Sequence, residues 1–152
     1  MVDFERNQKL ELDAVLRKAE DFHGHLGPFL VIGVRMGLVG VRELGVNKND
    51  GLQVTAMTQP FIPFSCVIDG IQVATHCTIG NKKLRLKDSS RISASFKFLD
   101  EKQVIVTVNP TMLERLKGKL LSKDISSEEA QKLAENVASM PEEELFIIEG
   151  SR

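Results

Sequence analysis

Tryptophan and tyrosine are absent from this 152-residue chain, and its 8 phenylalanines are the only aromatic side chains. Base-stacking platforms for single-stranded nucleic acid need more rings than that. An excess of one charge is also missing: 20 Lys+Arg stand against 21 Asp+Glu, a formal net charge of -1. Nucleic-acid binders carry a clear basic surplus and disordered chains a large imbalance, so neither class fits. The most apolar stretch, 28–46, is interrupted by Arg35, Arg42 and Glu43, too many charges for a membrane span of about 20 residues. Residues 1–20 are charged throughout and lack the apolar centre of a signal peptide. Only 2 cysteines occur; that is no disulfide scaffold, and the expected setting is the reducing cytoplasm.

What is present is the composition of a globular domain, 42% hydrophobic and 27% charged, in a length that predicts one domain over 1–152. Charge is nonetheless uneven: 1–79 carry a net of -2, 80–103 a net of +4 and 104–152 a net of -3. In the basic block charged and apolar residues alternate, as on a strand with one solvated face.

Periodicity predicts a helix over 7–22, with Leu10, Val15, Leu16, Ala19 and Phe22 on its buried face. The segment DFHGHLG, 21–27, breaks it. Pro28 then starts a second helix that runs to about Leu44 and stops at Gly45. A strand is expected over 52–58, a proline-marked loop at Pro60 and Pro63, and a helix over 65–75. Strands follow near 82–87, 91–99 and 102–108, the last two joined by a hairpin at Asp100-Glu101. Asn109-Pro110 and the capping box Ser126/Glu129 start two more helices, and 141–152 read as a short helix ending in Phe146-Ile147-Ile148. This order, helix-helix-strand-helix and then a three-stranded meander, predicts an α+β fold with a mixed, mostly antiparallel sheet covered by helices.

The 3 histidines and 2 cysteines are the scarce reactive residues. His23 and His25 flank Gly24, and two imidazoles one residue apart can chelate a transition metal in an extended turn. Cys66 follows the proline loop, in the expected first turn of a helix, where the dipole would lower a thiol pKa. Cys77 lies eleven residues on, roughly 16 Å away along one unbroken helix. The two thiols therefore share an ion only if Cys77 lies beyond the helix end; otherwise they serve different sites, or Cys77 is a small buried apolar residue. Asp69 falls on the Cys66 face and Gln72 follows three residues later, suited to orienting metal ligands or moving protons. Gly33, Gly37 and Gly40 stud the second helix, at about 1 kcal/mol each against alanine, which asks for close internal or dimer packing.

FHGHLGPFLVIGVRMG and the later CVIDGIQVATHCTIGNKKL together resemble the FmdE family, named for a component of formylmethanofuran dehydrogenase. Phe22, His23, Gly24, His25, Pro28, Gly33 and Arg35 match its first block. Cys66, Asp69, Ile71, Gln72, Cys77, Thr78 and Gly80 match its second. The resemblance implies a fold like the C-terminal domain of glyceraldehyde-phosphate dehydrogenase, commonly as a homodimer. It also implies a zinc-like metal site built from His23, His25 and Cys66, with Cys77 or His76 as a fourth ligand and Asp69 and Gln72 behind them. The partners it implies are the other components of a molybdenum or tungsten dehydrogenase of one-carbon metabolism, although many relatives stand alone. This chain departs from the family pattern at Gly27, where cysteine is expected, and at Phe29, Gly70 and His76. The alternative is a metal-free homodimeric assembly module; a Cys66 nucleophile served by a nearby histidine is a third reading.

Overall fold

The computed structural model describes residues 2–46, 51–99, 101–121 and 125–151. Two long helices come first, α1 (Val2–His23) and α2 (Pro28–Leu44). Gly24, at φ +106, ends α1 with its N–H on the carbonyl of Glu20. Gly27 is extended at the N-cap of α2, Pro28 occupies the first turn, and left-handed Gly45 closes the helix. Burial on α1 is narrower than the periodicity predicts: Val15, Leu16 and Ala19 are in the core, whereas Leu10 and Phe22 are 59% and 62% exposed. The helix starts earlier than expected, and its first turns project from the body.

The remaining elements are β1 (Leu52–Thr58), α3 (Cys66–Thr75), β2 (Leu84–Asp88), β3 (Ser93–Phe98), β4 (Lys102–Val108), α4 (Pro110–Leu120), α5 (Ser127–Ser139), the one-turn α6 (Glu142–Leu145) and β5 (Phe146–Ser151). They form an α+β domain with one five-stranded mixed sheet in the order β2-β1-β3-β4-β5. The meander expected over 82–108 is corrected in its first strand. β2 does not pair with β3; it lies on the far side of β1 and runs parallel to it, Val54 opposite Leu84. The physical reason is the connection: β1, α3 and β2 make a strand-helix-strand crossover, and a helix between two strands returns the chain in the same direction. The β3–β4 hairpin does form, with Glu101 N–H on the Phe98 carbonyl; Asp100 lies outside the described residues. A fifth strand replaces the expected apolar tail, pairing Val106 with Ile148 and Val108 with Phe146.

One sheet face, with Val54, Ala56, Ala94, Phe96, Val104 and Val106, is buried against the helices. α2 is the central helix, and its glycines set how closely it packs. A Cβ at Gly33 would collide with the backbone carbonyl of Val67, one at Gly37 would sit 2.7 Å from the Ala74 Cβ, and one at Gly40 would enter the Phe96 ring. Gly70 on α3 faces the Leu30 carbonyl just as closely. The glycine face is thus used inside the chain, between α2, α3 and the sheet.

Candidate functional site

The close approach of α2 and α3 brings their first turns side by side, and the HGH turn passes across both. Between them lies a cavity of about 450 Å³. His23, His25, Gly27, Ser65, Cys66 and Asp69 line it on one side, and Pro28, Ile62, Pro63, Leu120 and Ala130 contribute apolar wall. The Cys66 end is held in place by aromatic packing: Phe64 is buried with its ring edge-on to Phe29, centroids 5.2 Å apart.

His23 and Asp69, 46 residues apart in sequence, are hydrogen bonded. The imidazole Nδ1 lies 2.7 Å from Asp69 Oδ2, with only 14% of the His23 side chain exposed. A carboxylate only accepts, so Nδ1 carries a proton, and in the neutral tautomer this bond selects, the lone pair is on Nε2. Gln72 Nε2 reaches the other carboxylate oxygen of Asp69 at 3.5 Å, and Gln72 Oε1 in turn accepts the Ile79 N–H at 3.0 Å. The loop after α3 therefore orients Gln72, Gln72 leans on Asp69, and Asp69 fixes the histidine. His25 is exposed at the mouth, its ring 4.9 Å from that of His23.

Cys66 is half-buried at the start of α3. Its thiol pKa is raised, first by burial and then by the nearby Asp69 carboxylate. Burial and the Asp69 charge outweigh the lowering expected from the helix dipole, and the N–H groups of Cys66, Val67 and Ile68 are turned to the carbonyls of Pro63, Phe64 and Ser65. Cys77 is not brought to the cavity. It lies just beyond α3, 1% exposed in the core, with Sγ 3.6 Å from the Leu52 carbonyl. His76 caps α3 in the left-handed conformation at the surface, and its carbonyl accepts from Asn81. Its φ of 63° suits the Gly-type position the family pattern has there.

Of the residues singled out from sequence, His23, His25, Cys66 and Asp69 meet at one cavity, Gln72 stands behind Asp69, and Cys77 and His76 lie elsewhere. Among the described residues, no three His, Cys, Asp or Glu side chains stand close enough to hold an ion without moving. The apolar walls from Ile62, Leu120 and Ala130 carry no sequence signal, since they come from three separate segments.

Residues 22–147 match the family described as FmdE, molybdenum formylmethanofuran dehydrogenase operon. A protein of Archaeoglobus fulgidus, named a probable S-adenosyl-L-methionine-binding protein, is 30% identical over 161 aligned residues. The alignment takes in 94% of this chain and 44% of that relative, so the chain spans less than half of its length. Among solved structures, a tungsten formylmethanofuran dehydrogenase FmdE-like protein from Syntrophus aciditrophicus superposes with a TM-score of 0.62. That likeness covers 93% of this chain and 72% of the other at 20% identity, and it concerns the fold. No described helix is long and apolar enough to cross a membrane.

Proposed function

The chain belongs to the FmdE family, and on that footing we propose that its cavity is a transition-metal site, most suited to zinc, held by His23, His25 and Cys66 and supported by Asp69. The observation that carries this reading is the 2.7 Å bond from His23 Nδ1 to Asp69, which leaves Nε2 as the free lone pair. Metal-binding histidines are oriented in this way, with the second ring nitrogen donating to a carboxylate. The donor set fits zinc in kind: two imidazoles and a thiol beside a carboxylate. The ion would draw these side chains together, as they do not converge on their own. A bound zinc would supply a Lewis acid, and three protein ligands would leave a position for an incoming molecule.

Metal analysis of untagged protein tests the reading. We expect about one equivalent of zinc per chain, with His23→Ala and Cys66→Ser losing it and Asp69→Asn weakening it by about 10–100-fold. Less than about a tenth of an equivalent after zinc addition and desalting would sink it. A second reading rests on the same bond: the His23–Asp69 pair serves proton transfer without metal. The metal-free assembly module loses one support, because Gly33 and Gly37 are occupied by α3.

A further inference from the structure

The wall of the cavity beside His25 has no side chain. Gly27 supplies it, and a Cβ built there would sit 3.6 Å from His25 Nε2 and 3.8 Å from Cδ2, an ordinary contact. The backbone does not require glycine: φ is -124° and ψ is 164°, extended values that any residue adopts. Glycine here leaves the cavity side of His25 Nε2 uncovered. The same cavity is lined by Pro28, Ile62, Leu120 and Ala130, all apolar. Among the described residues no Lys or Arg lines it, and the one carboxylate, Asp69, is already bonded to His23. Its volume of about 450 Å³ falls in the range of small-molecule sites.

We infer that this cavity binds a small molecule with a neutral azole-nitrogen head in the gap at Gly27 beside His25 and an apolar body against Ile62, Leu120 and Ala130. The head-group half rests on the metal reading, since a lone-pair donor there would take the open position on the ion. The apolar half does not depend on metal. With no ion bound, a phosphate or sulfonate ligand would meet no cationic side chain in the described wall and would lie beside the Asp69 carboxylate, so the zinc-free cavity selects against it, whereas a bound zinc would add its own positive charge.

A matched pair of probes of similar size tests this: 4-phenylimidazole, neutral above its own pKa, and phenyl phosphate, anionic. Both are titrated by calorimetry into the full chain at about pH 8, after zinc addition and again after chelation, with zinc measured on every sample. Expected is binding of 4-phenylimidazole at least about tenfold tighter than imidazole alone in both states, and at least about tenfold tighter than phenyl phosphate in the chelated chain, a difference of about 1.4 kcal/mol. Gly27→Val, which covers His25, and Ala130→Phe, which fills the apolar end, should each weaken it by about tenfold or more. Ile62→Glu gives a variant whose folding is not at risk, since Ile62 is 81% exposed; it should weaken the neutral probe too. Phenyl phosphate binding as tightly to the chelated chain, or all three variants binding 4-phenylimidazole like the parent, overturns the inference. Zinc retained without probe selectivity sinks the inference and leaves the metal reading intact. Probe selectivity in a chain that never takes up zinc sinks the metal reading and the head-group half with it, and leaves the apolar half standing.

Discussion

Cys66 and Gly27 are the two residues whose chemistry differs most from what their positions suggest. At Cys66, burial and the Asp69 charge both favour the neutral thiol, so the group is a thiol at neutral pH and becomes thiolate only above the range of a free cysteine. Its iodoacetamide alkylation rate should therefore keep rising past about pH 8.5, where an unperturbed thiol titrates. Asp69→Asn removes the charge, lowers the thiol pKa and should speed alkylation at neutral pH by about two- to fivefold. A rate that levels off below pH 8, or one that Asp69→Asn slows, would contradict this account. At Gly27 the room beside His25 means that a cysteine could be added without collision. In the metal reading, Gly27→Cys supplies a further thiolate and should slow zinc loss to a chelator by about tenfold or more. An unchanged rate, with the variant folded, would place position 27 outside reach of the ion.

At the scale of elements, the site exists because α2 and α3 approach at backbone distance. Gly33 against the Val67 carbonyl and Gly70 against the Leu30 carbonyl leave no room for a methyl group on either helix. Neither obstacle is a flexible side chain, so relief requires moving a helix. Gly33→Ala and Gly70→Ala should each cost about 3 kcal/mol or more in urea unfolding, whereas Gly118→Ala on α4, where a Cβ meets nothing within 4 Å, should be neutral or slightly stabilising. Equal effects at all three positions would rule out backbone contact as the cause. Much of this was legible in sequence: helix boundaries at Pro28 and Gly45, the strand 52–58, the cap at Ser126 and the turn that holds His23 and His25 all follow from local chemistry. What was not legible is non-local. β2 lies beside β1 because α3 carries it there. β5 contains three consecutive apolar residues, Phe146, Ile147 and Ile148, a run without the alternation that marks a half-buried strand. The cavity wall escaped for the same reason: Leu120 and Ala130 reach it only through tertiary packing.

At the scale of the whole molecule, the C-terminal third is tied to α2 by two arginines, Arg35 and Arg42. Arg35 is largely buried and donates to the carbonyls of Val137 and Met140 at 2.7 and 2.6 Å, at the end of α5, and its guanidinium lies over Phe146, the first residue of β5. Burial pulls its pKa down, with Glu142 opposing. Arg42 holds Glu142 of α6 by two bonds of 2.7 and 2.8 Å, and this is what keeps the Glu142 carboxyl below the usual range. The two contacts differ in worth. The Arg42–Glu142 pair is partly exposed, so Glu142→Gln should cost less than about 1 kcal/mol. Because its folded pKa is depressed, that contribution is present above the ordinary glutamate range and fades as pH falls through the folded value. The acid limb of the parent's stability curve should accordingly be steeper than that of Glu142→Gln. Arg35→Met, by contrast, removes the charged donor from the Val137 and Met140 carbonyls, leaving Val137 only the 3.4 Å bond from the Met140 N–H, and should cost about 2–4 kcal/mol at every pH between 5 and 8. Both bonds come from the one nitrogen Nη1, so the Arg35→Lys ammonium, with three donors, should recover part of this, while the planar guanidinium over Phe146 is lost. Denaturant unfolding of the three variants across pH separates the contacts: if Arg35→Met is as mild as Glu142→Gln, the α5 end is not held by the guanidinium, and α5, whose Ala130 lines the cavity, would owe its place to apolar packing alone.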